Sequence, residues 1–177
     1  MTLSPEVSGT VPIRSAPAAF LQAFRQRVAA GLLSGRPHGR SNYVVTDAGS
    51  DRLQVRAADW WTALNVGLNE VDLRVPQPGM ASYHVRFRRW AMYSLILSAG
   101  IGLIALLLLL SLDVRGYIGQ SPARRLPGLS ADQSLLVLWI MVGFWALVWP
   151  WLLIALHKPV LRRLMTRLIT EVDRGPR

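Results

Sequence analysis

The chain contains no cysteine in its 177 residues, and Lys158 is its only lysine. Without cysteine, neither a disulfide framework nor a thiolate metal site can form. All other basic residues are arginine, which is explained by nucleotide bias or by selection for bidentate phosphate contacts. The N-terminal region lacks an apolar core next to a cleavage site, so we expect no secretory signal peptide.

Charge is absent from two long stretches, Ala91–Leu112 and Leu135–Leu156. Each has 22 residues, and a helix of that length is about 33 Å long, enough to cross a bilayer core of about 30 Å. We therefore predict transmembrane helices at 90–112 and 135–156, joined by an extracytoplasmic loop at 113–134. Because neither stretch holds Asp, Glu, Lys, Arg or His, the pair is not expected to form a transporter by itself.

The chain before the first span predicts a disordered tail at 1–15 and a soluble α+β domain at 16–89. Phe20, Phe24 and Val28 recur every four residues, which predicts one face of an N-terminal helix. We favour a core-facing stripe over a membrane-surface anchor, because a neighbouring sheet would need a cover.

Alternating apolar and polar residues between positions 43 and 87 predict an antiparallel meander of four or five strands. Leu64 to Leu68 share one parity and Val71 to Val75 the opposite one, so we expect a bulge or break at Asn69-Glu70. Asp59 is expected to cap the segment that follows it. The predicted fold is the N-terminal helix packed on this meander, followed by the transmembrane hairpin.

The last 21 residues, 157–177, predict a basic amphipathic helix that Pro159 opens. Leu161, Leu164 and Leu168 lie on one face, opposite Arg162 and Arg163. Two placements remain open, because such a helix can lie in the lipid interface or pack on the soluble sheet.

Basic residues predict the orientation of the spans. Close to the spans, the counts are four on the N-terminal side (Arg74, Arg86, Arg88, Arg89), three in the loop (Arg115, Arg124, Arg125) and five on the C-terminal flank (Lys158, Arg162, Arg163, Arg167, Arg174). Since basic residues accumulate on the cytoplasmic side, we expect both termini in the cytoplasm and the spans in a bacterial inner membrane.

The net charge of +10 favours a membrane surface rather than nucleic acid as the partner, because the basic residues cluster beside the spans. The outer sheet face is predicted to carry Arg52, Arg56, Arg74, Arg86 and Arg88, with only Asp72 clearly placed to offset them. The residues expected to contact anionic lipid headgroups are Arg86, Arg88, Arg89, Arg162, Arg163 and Arg167.

Small residues predict how the spans pack. Ser94, Ser98 and Gly102 fall every four residues on one face of the first span, and Gly143, with Ala146, is the expected counterpart on the second. Small side chains let helices approach closely in lipid. A homo-oligomer or a partner membrane protein is also compatible with this pattern.

Catalytic signatures are not found, and we expect no catalytic residue, cofactor or metal site. The three histidines are scattered, and no phosphate loop or nucleophile elbow occurs. Trp60-Trp61 could be core, an interfacial anchor or a ligand-stacking platform. Two functions therefore remain. We favour a non-catalytic membrane-anchored binding, scaffold or accessory module; the alternative is a membrane-anchored enzyme or ligand-binding domain with a pocket between the N-terminal helix and the sheet.

Overall fold

The computed structural model describes residues 4–33 and 42–175. The strands within these residues are β1 (Glu6–Pro12), β2 (Tyr43–Ala48), β3 (Arg52–Ala57), β4 (Glu70–Gln77) and β5 (Met80–Arg86). The helices are α1 (Pro17–Gly31), α2 (Trp60–Val66), α3 (Arg88–Ser111), α4 (Val114–Gly119) and α5 (Ala131–Asp173), with a 3-10 turn at Pro122–Arg124. The parts of the predicted segments that fall on 1–3, 34–41 and 176–177 lie outside the described residues.

The chain divides into two compact units. The sheet unit combines the described residues up to Met92 with those from Ile154 onward, and the helical unit is Tyr93–Leu153. The long helices α3 and α5 each belong to both units. The sheet unit is therefore assembled from two segments that are far apart in the sequence.

The sheet has five antiparallel strands in the order β1-β5-β4-β3-β2. Strands β2 to β5 are neighbours in chain order, as the predicted meander requires. The mixed α+β prediction is thus confirmed at the level of the sheet and its helices.

Strand β1 corrects the prediction of a disordered tail at 1–15. It pairs with β5 along its whole length, from Glu6–Arg86 to Pro12–Met80. Val7 and Val11 are buried on one face, where Gly9 lies against Tyr83, whose hydroxyl occupies the space that a Cβ at Gly9 would need. Burial of this face orders a segment that its prolines had marked as disordered. Proline is tolerated here because β1 is an edge strand.

Helix α2 replaces the strand predicted around Leu64–Leu68. The Asp59 carboxylate accepts a hydrogen bond from the Thr62 N–H at 2.7 Å, so Asp59 is the N-cap, as expected. Gly67 ends the helix in the left-handed region at φ 79°. The change of apolar parity near Asn69 therefore marks the passage from a helix to β4, not a bulge within a strand.

Two helices supply the core of the sheet unit. Phe20, Phe24 and Val28 of α1 are at most 2% exposed, and α1 contacts β2, β3 and β4, which confirms the core-facing stripe. The last part of α5 adds a second buried face, made by Leu161, Met165, Leu168 and Ile169.

The tail predicted at 157–177 does not begin as a separate helix. Pro159 lies inside α5 instead of opening a new helix, so this part of the prediction is wrong. Burial of Ile154 and Leu161 on either side of Pro159 favours a continuous helix despite the missing N–H. At the end of α5, the Asp173 carboxylate accepts hydrogen bonds from the N–H groups of Arg14 and Ser15, at 3.0 Å each. Of the two open placements, the described part of this segment has the one packed within the sheet unit.

In the helical unit, the observed helix boundaries differ from the predicted ones. The segment predicted as a loop contains α4 and the 3-10 turn, and α5 begins at Ala131, where Ser130 and Gln133 form a capping box. A π-helical turn at Phe144–Val148 precedes Pro150. There the Trp149 N–H bonds to the Phe144 carbonyl five residues back, a shift that accompanies proline in many helices.

Helices α3 and α5 are long and apolar enough to cross a membrane, judged by length and composition. Only 17% and 11% of their most apolar windows are buried. A helix in the core of a soluble protein would bury most of such a window.

Candidate functional site

Asn69 is a buried polar side chain between the end of α2 and the start of α3, and it is 5% exposed. Its Nδ2 donates a hydrogen bond to the Ala63 carbonyl at 2.8 Å. Its Oδ1 accepts from the N–H groups of Arg89 at 2.7 Å and Trp90 at 3.4 Å. Since the first N–H groups of a helix have no partner within the helix, Asn69 caps α3 from a distance. From the sequence, Asn69 was predicted only as the place of a bulge or break in a strand. Its role as a cap was missed because a cap that is distant in sequence from its helix leaves no local pattern.

His157 packs beside this cap. Its ring stacks on Trp90 with 4.0 Å between centroids and 9° between planes, and Phe87 packs edge-on at 5.5 Å. Nε2 lies 3.1 Å from the Val66 carbonyl, to which it donates. Burial lowers the pKa of His157, and the bond to Val66 only partly opposes this shift. His157 therefore links α5 to the end of α2 as a ring whose charged form is disfavoured by burial.

We call Gly67, Asn69, Trp90 and His157 the junction cluster. Gly67 completes it, since a Cβ at this position would collide with the His157 Nε2. The cluster joins α2, the first turn of α3 and α5 within the sheet unit. These contacts are structural, and all four residues belong to the sheet unit.

The tryptophan pair of α2 lies next to the junction cluster. Trp60 is 48% exposed and Trp61 is 79% exposed, which excludes a core role for Trp61. The Arg89 guanidinium carbon lies 6.0 Å from the centre of the Trp60 ring, at the outer limit of a cation–π contact. The first turn of α3 is thus beside α2.

The outer sheet face carries more acidic partners than predicted. Arg52 and Arg74 each lie 3.0 Å from Asp72, Arg86 lies 3.5 Å and Arg56 3.9 Å from Glu70, and Arg88 lies 3.1 Å from Glu6. The expectation that only Asp72 offsets these arginines is wrong, because β1 brings Glu6 to the face and Glu70 lies between two arginines. Burial raises the pKa of Asp72, but hydrogen bonds from Arg74 and Arg52 outweigh it and lower the pKa.

The six arginines predicted to contact headgroups lie in three places. Arg86 and Arg88 are on the outer sheet face beside Glu70 and Glu6, Arg89 is beside Trp60, and Arg162, Arg163 and Arg167 are exposed on α5. Arg167 also lies 2.7 Å from Glu171. Exposed ion pairs of this kind each contribute about 0–1 kcal/mol, so the paired arginines remain available to other anions.

The predicted packing residues of the first span are buried, with Ser94 at 7% exposure and Ser98 at 4%. A Cβ at Gly102 would collide with the Ala146 side chain, so α3 and α5 approach closely there. A Cβ at Gly143 would meet no other atom within 4 Å among the described residues. Ala146, and not Gly143, is therefore the residue of α5 at the close approach.

Two cavities in the described part of the sheet unit are small. One lies between α1 and the β2–β3 turn, is lined by Leu21, Arg25 and Ser50 among others, and has a volume of about 210 Å³. Another, of about 140 Å³, lies beside Tyr43 and Asn65. Pockets for small organic ligands usually measure about 300–1,000 Å³. In residues 4–33 and 42–175, no three His, Asp or Glu side chains converge as a metal site.

Comparisons of the chain with protein-family models, with curated proteins and with solved structures gave no match. We therefore infer the function from the geometry of the chain itself.

Proposed function

We propose that this chain is an integral membrane protein whose helices α3 and α5 cross the bilayer and hold the sheet unit at its surface. The observation that carries the proposal is the exposed apolar surface of both helices. Leu103, Ile104 and Leu107 of α3 and Leu147 of α5 are each more than half exposed. A patch of this extent is unfavourable in water and is matched by lipid.

The proposed location is a bacterial inner membrane, with both termini in the cytoplasm. The support is the excess of basic residues before α3 and after the apolar part of α5, compared with the segment between the spans. Trp90, Tyr93, Trp149 and Trp151 form an aromatic belt at one end of the apolar stretches, and Tyr117 lies toward the other.

The proposed role of the sheet unit is non-catalytic: it binds anionic lipid headgroups or holds a partner subunit, with lipid as the favoured ligand. Its apolar core and the small size of the two cavities in its described part support binding by its surface rather than catalysis in a pocket. Arg89, Arg162 and Arg163 are the strongest candidates for headgroup contact. Each basic residue near an anionic surface contributes about 1 kcal/mol of attraction.

Membrane insertion and orientation are tested in cells. The protein should stay in the membrane pellet after alkaline carbonate extraction. A reporter of extracytoplasmic location should be active when inserted within residues 118–130 and inactive when fused after Arg177. Release into the carbonate supernatant would overturn the membrane proposal, and an active fusion after Arg177 would overturn the orientation.

Lipid binding is tested with the full chain in nanodiscs that contain both phosphatidylcholine and phosphatidylglycerol. Lipids that remain bound after mild detergent extraction should be enriched in phosphatidylglycerol, and Arg89→Gln should reduce this enrichment. Arg25→Gln, on an exposed face of α1, is the matched control and should leave it unchanged. Equal retention of both lipids by the unaltered protein would contradict the electrostatic role.

A further inference from the structure

The strongest unassigned feature of the sheet unit is Trp61, a tryptophan that is 79% exposed beside the half-exposed Trp60. Burying an indole in a nonaqueous environment is favourable, and soluble domains expose few tryptophans to this extent. Helix α2 contains no charged residue between its Asp59 cap and Gly67. Its exposed residues are Trp60, Trp61 and Asn65, so the exposed surface is largely aromatic and carries no charge.

Three contacts hold α2 beside the start of the uncharged stretch of α3 and the end of that of α5. Asn69 bonds to the Ala63 carbonyl of α2 and to the first N–H groups of α3. His157 bonds to the Val66 carbonyl from α5. Arg89 lies over Trp60, and the uncharged stretch of α3 begins two residues after it, at Ala91.

We propose that Trp60 and Trp61 insert into the headgroup region of the same bilayer that α3 and α5 cross, and that they anchor α2 there. Tryptophan is enriched at this depth, because its ring is apolar while its N–H can still bond to headgroups or water. Arg89, beside Trp60, adds a positive charge where lipid phosphates lie. This inference rests on the proposed membrane location and goes beyond it, since it assigns the depth of α2.

The test uses single cysteines in the full chain, which has no cysteine of its own. Trp61→Cys, Ser50→Cys and Leu103→Cys are each spin-labelled in nanodiscs of phosphatidylcholine with phosphatidylglycerol. Ser50 lies at the β2–β3 turn, at the opposite end of β3 from Ala57, whose N–H bonds to the Asn69 carbonyl. Leu103 lies in the middle of α3 with 56% exposure.

The quantity compared is the ratio of the spin label's accessibility to oxygen to its accessibility to a water-soluble nickel complex. We expect this ratio to be highest at position 103, lower at position 61 and lowest at position 50. Asn65→Cys, one turn along α2 on the same face, keeps both tryptophans and should resemble position 61. A lipid-like signal at 103 with an aqueous signal at both 61 and 65 would overturn the anchor and leave the membrane proposal standing. An aqueous signal at 103 would overturn both.

Discussion

Gly67 shows how one residue can be constrained by both its backbone and its neighbour. Its φ of 79° lies in the left-handed region, where a side chain costs about 1–2 kcal/mol. A Cβ would also collide with His157, which cannot easily move because it stacks on Trp90 and bonds to the Val66 carbonyl. We expect Gly67→Ala to lower the free energy of unfolding and the apparent Tm in mild detergent.

Gly79→Ala is the matched control for this substitution. Gly79 has a φ of 90°, but a Cβ there would meet no other atom within 4 Å among the described residues. Gly79→Ala therefore introduces the backbone strain but no collision. Its loss of stability should be smaller than that of Gly67→Ala. Equal losses for the two variants would show that the contact with His157 has no role.

His157 should make stability depend on pH. Its pKa in the folded chain lies below the unfolded value of about 6.5, because burial disfavours the charged ring. The unfolded chain then binds a proton before the folded chain does. His157 therefore makes its full contribution to the free energy of unfolding above about pH 6.5. This contribution is lost as the pH falls through the pKa that His157 has in the folded chain.

The measurement compares denaturant unfolding in detergent at neutral and mildly acidic pH for the unaltered protein and for His157→Gln. Glutamine keeps an N–H donor but does not titrate in this range. The acid-induced loss of stability should be smaller in the variant, whereas carboxylates such as Asp72 contribute equally to both. Identical pH profiles would contradict the role of His157.

At the scale of elements, the close approach of α3 to α5 at Gly102 gives a further prediction. We expect Gly102→Leu to force α3 and α5 apart, because the new side chain would occupy the position of Ala146. Overpacking of this kind usually costs about 1–3 kcal/mol. The readout is the apparent Tm of the detergent-solubilised protein.

Gly100→Leu separates this packing effect from the general effect of leucine in a helix. Gly100 lies in α3 two residues earlier, and a Cβ there would meet open space among the described residues. Its Tm should stay close to that of the unaltered protein. A similar fall in both variants would contradict packing at Gly102 as the cause.

Elements with strong local patterns were predictable from the sequence, and those that depend on distant partners were not. The α1 stripe and the β2–β3 hairpin repeat at the period of their structures, and the uncharged stretches are recognised by their length, so all of them can be predicted from a single sequence. For β1, Val7, Val11 and Ile13 share one parity, but Gly9 interrupts the pattern because it lies against Tyr83 of a distant strand.

The same reason explains the errors at the candidate site. Leu64, Val66 and Leu68 alternate as in a strand, yet α2 forms because Asp59 and Gly67 cap it and Asn69 holds its end. The carboxylates of the outer sheet face were missed in part because Glu6 belongs to β1. The close contact of His157 with Gly67 joins residues 90 positions apart, which spacing within one sequence does not reveal.

At the scale of the whole molecule, the sheet unit is discontinuous in the sequence. The predicted domain at 16–89 lacks β1, whose Val7 and Val11 are buried, and the end of α5, whose Leu161, Met165 and Ile169 are fully buried. A full loss of even one such side chain costs about 2–5 kcal/mol. Native stability is only about 5–15 kcal/mol, so a fragment that lacks several of them should not fold.

We therefore expect residues 1–92 alone to remain unfolded, and the same residues joined by a flexible Gly/Ser linker to 154–177 to form a folded, water-soluble domain. The linker replaces only the helical unit, Tyr93–Leu153, which carries most of the exposed apolar surface. Circular dichroism and cooperative thermal unfolding distinguish the two chains. In the linked chain, Leu161→Asp is the control and should abolish cooperative unfolding, because it places a charge in the core. Cooperative unfolding of 1–92 by itself would show that the end of α5 is dispensable, and that the sheet with α1 forms a complete core.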